Sequence, residues 1–233
     1  MPPRRHHPDP DVAAIAALIG DPGRAAILHA LLDGGELPAS ELAARAGVTP
    51  QSATAHLKKL VAGGLLETHA AGRHRFFRLH SPDVGHAMEA LAVIAKPARV
   101  VALAQSTTLQ RLRTARSCYD HLAGRLGVAL TDRFVERGAL LLERDAFELT
   151  RSGERLMREI GVDVATARES RRSFARACTD WTERRPHLAG SLGAAVLAHF
   201  LAHGWVKRSP TDRALTITER GCVTLAHLFQ IEL

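Results

Sequence analysis

The sequence predicts a mainly α-helical fold with small β-hairpins, an α+β architecture, built in two parts. Three observations carry that prediction. Short segments with apolar residues three or four positions apart, closed by glycine or proline, run through the first quarter of the chain. Two alternating segments joined by a glycine-containing turn follow at 65–79. The second half then repeats itself. With 233 residues, 46% of them hydrophobic and 24% charged, the chain can bury one large core or two small ones.

Residues 1–10 combine Pro2, Pro3, Pro8 and Pro10 with Arg4, Arg5, His6 and His7, and lack the apolar run of a signal peptide. They read as a disordered basic arm of a cytoplasmic protein. No stretch reaches the roughly 18 apolar residues of a membrane helix, so a membrane partner is not expected. Cys118, Cys178 and Cys222 are too few and too far apart for a disulfide framework, and no CxxC zinc pattern occurs. The net charge of +7 points to a polyanionic partner, but its distribution qualifies that. Residues 1–95 hold nine Lys/Arg and nine Asp/Glu, and the excess sits in the remainder, 22 against 15. Locally, Lys58, Lys59, Arg73, Arg75 and Arg78 face only Glu67 in acid, a basic patch.

Residues 11–19 form a nearly all-apolar helix with Val12, Ile15, Leu18 and Ile19 on one face, the kind of terminal helix that packs on a partner chain. Gly20-Asp21-Pro22 breaks it and caps a second helix at 23–32, with Ile27, Leu31 and Leu32 as its buried stripe. A third helix spans 38–47 and closes on Gly47; only Val48 separates it from Thr49, a good N-cap followed by Pro50 at the first helical position. In the helix so started, Ala53, Leu57, Leu60 and Val61 share one face. Gln51, Ser52, Ala55, Lys58 and Lys59 share the other, with Thr54 and His56 on the flanks and no acid among them. Gln pairs with adenine, Ser and Thr reach base edges or phosphate, and paired lysines suit the DNA backbone. Two helices across so tight a turn form a helix-turn-helix. The segments 65–69 and 75–79, joined by 70–74, make a β-hairpin with a basic tip, in which Gly72 supplies positive φ and Arg73 reaches phosphate or a minor groove. A hairpin in that place is a wing. A further helix runs from 81 to 95 with Val84, Met88, Leu91 and Ile94 on one side.

The segments "DPGRAAILHALLDG", "ASELAARAGVTPQSATAHLKKLVAGGLLE" and "GRHRFFRL" resemble the winged-helix repressors of the arsenic-repressor (ArsR/SmtB) family over residues 11–95. The resemblance implies a homodimer whose first and last module helices form the interface, and a DNA-binding repressor. It implies that the helix from Thr49 enters the major groove of double-stranded DNA. On it the candidate contacts are Gln51, Ser52, Thr54, His56, Lys58 and Lys59, with Arg73 and Arg75 on the wing; a plain solvated face is the alternative. The chain departs from the family at its metal sites. The helix before the recognition helix, Ser40-Glu41-Leu42-Ala43-Ala44, holds no cysteine, and Asp83, His86 and Glu89 do not match the spacing of the family's other site.

Residues 96–108 read as a linker before a helix starting at Leu109 and a domain at 109–233. Within it, 121–138 matches 187–204 at 9 of 18 positions, both opening His-Leu-Ala-Gly. Upstream, Ala-Arg-x-Cys-x-Asp recurs at 115–120 and 175–180, with six extra residues at 181–186 in the second copy; downstream, Leu/Ile-Thr-x-x-Gly recurs at 149–153 and 217–221. Each copy, about 112–162 and 172–232, reads as helix, glycine stop, two short strands and a Thr-capped helix. The fold expectation is therefore an N-terminal winged helix-turn-helix followed by two pseudo-symmetric winged-helix-like repeats. The repeats lack a basic helix face and read as a sensor or interaction module.

The chemistry candidates there are Cys118, Asp120 and His121 of copy one and Cys178, Asp180 and His187 of copy two, with Arg184 and Arg185 next to His187 to favour an anion. Meeting at a pseudo-twofold, they could hold a soft metal or a small-molecule effector, or act as a thiol redox sensor. The plainer reading is packing: small Cys and Ala buried, Asp paired with the repeated Arg, Ala-Gly allowing close approach. Cys222 has no counterpart and reads as structural, and Tyr119 and Trp181 could line a pocket. No cofactor is fixed by any motif. The leading functional expectation is a dimeric, sequence-specific DNA-binding repressor governed by its C-terminal half. A DNA-tethered interaction module without a ligand, and an enzyme using the Cys/His/Asp repeats, are the alternatives. The enzyme reading is weak, since no nucleophile elbow, phosphate loop or HExxH appears.

Overall fold

A computed structural model describes residues 9–72, 74–96 and 103–233. Most of the basic arm, and Arg73 at the wing tip, lie outside the described residues. The chain divides into two compact units, the residues up to 31 with 35–81, and residues 32–34 with 82–233.

In the first unit α1 (Val12–Ile19) is capped by Asp11, and α2 (Pro22–Ala30) by Asp21, whose carboxylate accepts from Arg24 N at 2.9 Å. Strand β1 (Leu37–Pro38) precedes α3 (Ala39–Ala46), which ends on Gly47 at φ 65. Then come α4 (Pro50–Ala62), β2 (Leu66–Ala71) and β3 (His74–Leu79), with sheet order β1-β3-β2. Ile27, Leu28, Leu42, Leu57, Leu60 and Phe77 close the core. Two local expectations are corrected. Pro38 ends a short edge strand paired with Phe76 and is the N-cap of α3 rather than its first turn, and its missing N–H is tolerated at a sheet edge. The wing turn is two residues long, because pairing continues through Ala70↔Arg75 and Ala71↔His74, and Gly72 at φ 60 suits so tight a hairpin.

The second unit opens with α5 (Pro82–Ile94). The sequence grouped this helix with the DNA-binding module, yet its buried Glu89 is paired with Arg213, and Gly85 lies against the Tyr119 ring. Helix α6 spans Leu103–Thr114, so residues 103–108, expected as linker, are helical; Gln105, Ser106 and Thr107 are exposed there, where polar side chains cost little. The two repeats then show one element order. The first has β4 (Arg116–Cys118), β5 (His121–Ala123), α7 (Gly124–Glu136), β6 (Leu140–Glu143), β7 (Ala146–Leu149) and α8 (Arg151–Ile160). After α9 (Val164–Glu169) the second has β8 (Arg176–Thr179), β9 (Pro186–Ala189), α10 (Gly190–Ala202), β10 (Val206–Arg208), β11 (Leu215–Ile217) and α11 (Glu219–Thr224). Helix α11 runs on into a π-helical turn, Leu225–Phe229. Cys222 on α11 is exposed, against the expectation of a structural role.

The second hairpin of each repeat joins the first hairpin of the other. Phe147 N donates to Ala175 O at 2.8 Å and Ala177 N to Asp145 O at 2.9 Å; in the reciprocal place Leu215 N donates to Ala115 O at 2.9 Å and Ser117 N to Arg213 O at 3.0 Å. Leu126, Leu130 and Phe134 of α7 and Leu192, Val196 and Phe200 of α10 fill one shared core. The repeated His-Leu-Ala-Gly ends in a left-handed glycine, Gly124 at φ 74 and Gly190 at φ 79, which starts each helix where a side chain would strike the carbonyl of Arg113 or Ser173.

Candidate functional site

Among the described residues, two regions concentrate polar chemistry. The first is α4. Thr49 caps it, accepting from Ser52 N at 3.2 Å, so the residues that follow project from a fixed first turn. Ala53, Leu57 and Leu60 are buried, while Gln51, Ser52, Thr54, Ala55, Lys58 and Lys59 are exposed. The helix carries no carboxylate. Ser52 accepts from the Thr49 hydroxyl at 3.0 Å, which leaves its own hydrogen to donate outward; Thr54 donates to Pro50 O at 2.9 Å, which leaves it an outward acceptor. Arg75 on β3 is exposed as well. His56 departs from the expected set. Its ring turns toward α2, with Nδ1 3.7 Å from Asp21 Oδ1, and Nε2 would lie 2.8 Å from a Cβ at Gly23. Its ring packs between α4 and the start of α2, beside the capping carboxylate.

The second region is a buried cluster in the second unit. Cys118 and His121 are cross-strand partners in β4–β5, and Cys178 and His187 are cross-strand partners in β8–β9. Each hairpin thus presents one thiol and one imidazole side by side. Of the six extra residues of the second copy, 181–185 fall in the β8–β9 loop and Pro186 opens β9 opposite Thr179, so the Cys178–His187 register is intact. The hairpins face each other: Cys118 Sγ is 3.8 Å from Cys178 Sγ and His121 Nε2 is 3.2 Å from His187 Nε2. One donor atom from each of the four residues lies within 4.8 Å of all the others, and all four residues are buried.

Carboxylates stand behind both imidazoles. Asp120 Oδ1 is 3.3 Å from His121 Nδ1, and its other oxygen is bound by Arg172. Asp180 Oδ2 is 3.7 Å from His187 Nδ1, too long for a hydrogen bond, and that buried Nδ1 has no hydrogen-bond partner among the described residues. Asp180 is itself fully buried. It accepts from Arg116 Nη2 at 2.9 Å, Gly124 N at 2.7 Å, Thr182 N at 2.8 Å and Oγ1 at 2.6 Å, and Glu183 N at 3.1 Å. Burial alone would raise its pKa, but the Arg116 charge and these donors hold it well below the usual carboxylate range. Burial pushes the Cys118 thiol up, whereas the hydrogen bond from Cys118, with His121 and His187 adjacent, pulls Cys178 down. Burial likewise lowers His187; it opposes protonation of His121 too, but there Asp120 and Cys178 outweigh it and raise the pKa.

Of the expected sensor residues, Cys118, Asp120, His121, Cys178, Asp180 and His187 converge, and Arg185 does not. Arg185 is exposed and paired with Asp132 at 2.8 Å, since the β8–β9 loop turns its side chain outward. The repeated Arg–Asp pairing forms in one direction only: Arg116 holds Asp180, but Asp120 is held by Arg172, which no repeat marked. Trp181 lies under the Arg116 guanidinium, 4.6 Å from ring centroid to Cζ, and Tyr119 packs on α5.

A family model described as a helix-turn-helix domain matches residues 19–69. The uncharacterised HTH-type transcriptional regulator YdfF of Bacillus subtilis is 42% identical over 213 residues, spanning 91% of this chain and 94% of that protein. Among solved structures, the chain is similar to the homodimeric winged helix-turn-helix DNA-binding domain of Mb0332 from Mycobacterium bovis, a possible ArsR-family regulator. That match has 29% identity, 36% of this chain, 76% of that chain and a TM-score of 0.33. It is also similar to reduced HlyU from Vibrio cholerae, at 27% identity, 36% and 88% coverage, and a TM-score of 0.33.

Proposed function

Because the chain belongs to the HTH-type transcriptional regulators, we propose that it acts in the cytoplasm as a homodimeric repressor whose α4 helices read double-stranded DNA and whose second unit governs their presentation. The observation that carries the DNA reading is the outer face of α4, with Gln51, Ser52, Thr54, Lys58 and Lys59 exposed and no acid among them. Gln51, in the first turn of α4, is the base reader, and Lys58 and Lys59 neutralise phosphate. Arg75 adds a backbone contact from the wing. The dimer reading is supported by α1, an apolar helix without one buried residue, and by Leu91 and Ile94 of α5, 42% and 79% exposed. A second copy of the chain is the occupant we assign to those faces. An effector need only favour one spacing of the two α4 helices to change operator affinity.

The test selects preferred DNA from a random library, then measures binding by fluorescence anisotropy across salt concentrations. Lys59→Ala weakens binding to every sequence and lowers the slope of log affinity against log salt by about one. Gln51→Ala instead reduces discrimination at one base pair, by about 1–3 kcal/mol. Equal behaviour of the two variants sinks the assigned roles.

A further inference from the structure

We propose that Cys118, His121, Cys178 and His187 bind one Zn²⁺ ion in a closed tetrahedral site that joins the two repeats. The geometry carries this first. With Zn–S near 2.3 Å and Zn–N near 2.0–2.1 Å, a tetrahedron has S···S edges of about 3.8 Å and N···N edges of about 3.3 Å. The cluster shows 3.8 Å between the sulfurs and 3.2 Å between the Nε2 atoms. Two thiolates and two imidazoles are a zinc donor set, and with the cation they sum to zero charge, which suits a buried site.

The surroundings fit as well. Both histidines turn Nε2 inward and Nδ1 toward a carboxylate, Asp120 for His121 and Asp180 for His187. These aspartates occupy the same place in the two repeats, Asp120 hydrogen-bonded to its imidazole and Asp180 3.7 Å from the other, on the side from which carboxylates orient a metal-bound imidazole. With all four ligands buried and supplied by protein, no coordination position is left for substrate, so the ion is structural. A Cys118–Cys178 disulfide would engage the sulfurs alone and leave two imidazole nitrogens facing each other without purpose. The ion clamps β4–β5 to β8–β9. It also fixes the Cys118–His121 turn, whose Tyr119, at φ 60, is the surface on which Gly85 of α5 rests.

The test uses the full chain without a histidine tag. Elemental mass spectrometry of protein purified from zinc-supplemented cells gives one Zn²⁺ per chain. Replacement by Co²⁺ gives the intense visible bands of a tetrahedral site together with thiolate-to-cobalt charge transfer. Cys118→Ser and Cys178→Ser each lose stoichiometric zinc and weaken the charge-transfer band, and Cys222→Ser changes neither. Should a cysteine variant fail to fold, the wild type decides alone: a chelator releases one Zn²⁺ as two buried thiols become reactive. A chain without stoichiometric zinc, an octahedral Co²⁺ spectrum, a Cys118–Cys178 disulfide, or normal zinc content in both cysteine variants overturns the proposal. DNA binding is not the readout, so the result is independent of the α4 assignments.

Discussion

Asp180→Ala removes the centre of the buried polar network of the second unit. The side chain is fully buried and takes five hydrogen bonds, from Arg116, Gly124 N, Thr182 N and Oγ1, and Glu183 N. Removing it leaves the Arg116 guanidinium, also fully buried, without a counter-ion, and strips the Gly124 N–H at the start of α7. Breaking a buried ion pair from one side costs about 3–5 kcal/mol. Arg116→Met should cost less, about 1.5–3 kcal/mol, because the carboxylate keeps four of its five donors and Met preserves apolar contact with Trp181. The assay is urea unfolding followed by tryptophan fluorescence. Trp181 and Trp205 both lie in the second unit, so the signal reports that unit alone. With a slope near 2 kcal/mol/M, Asp180→Ala moves the midpoint down by about 1.5–2.5 M. A shift under about 0.5 M, or a larger loss for Arg116→Met than for Asp180→Ala, would refute the view of Asp180 as the hub.

Two further outcomes follow from the packing. Gly153→Ala and Gly221→Ala each place a Cβ against a carbonyl oxygen, at 2.1 Å from Ala139 and 2.0 Å from Trp205. Each should destabilise the second unit by about 1–3 kcal/mol in the same assay, and wild-type midpoints for both contradict the fit. Ile94→Asp, at a position 79% exposed in the single chain, should change monomer stability by no more than about 0.5 kcal/mol yet dissociate the proposed dimer in sedimentation velocity. A persistent Ile94→Asp dimer, or a monomeric wild type, removes α5 from the interface.

Legibility from the sequence followed the kind of signal each element carried. Helix α4 was readable because cap, first-turn proline and apolar spacing agree, and Gly47 and Gly72 marked their turns by the positive φ that glycine permits. The β4–β5 hairpin was not. Its turn is Tyr119-Asp120, with Tyr119 at φ 60, a conformation that aromatic residues seldom adopt and that no composition rule flags. The duplicated Cys, Asp and His were visible as a set, but their convergence depended on cross-strand register, which spacing hides when one copy has a six-residue insertion. Arg185 was misplaced because it lies in the β8–β9 loop just before β9 begins at Pro186, so strand alternation, which would put residues 185 and 187 on one face, does not hold there and its side chain pairs with Asp132 instead. His56 sat at the edge of the polar face, where a capping carboxylate on another helix, invisible to helical periodicity, decided its direction.

The reciprocal hairpin pairing explains why the repeats share chemistry as well as sequence. Because β7 meets β8 and the chain at Ala214 meets Arg116, neither repeat completes its sheet edge alone. The exchange brings β5 and β9 together at the centre, where Gly127 and Gly193 let α7 and α10 approach Leu122 O and Leu188 O closely. A Cβ at Gly193 would also lie 3.1 Å from His121 Cβ, so the small residue that packs α10 is one that makes room for the cluster. Packing and chemistry are therefore one constraint here. Gly127 and Gly193 set the helix approach, that approach sets where the hairpins meet, and the meeting point is where each copy carries its cysteine and histidine.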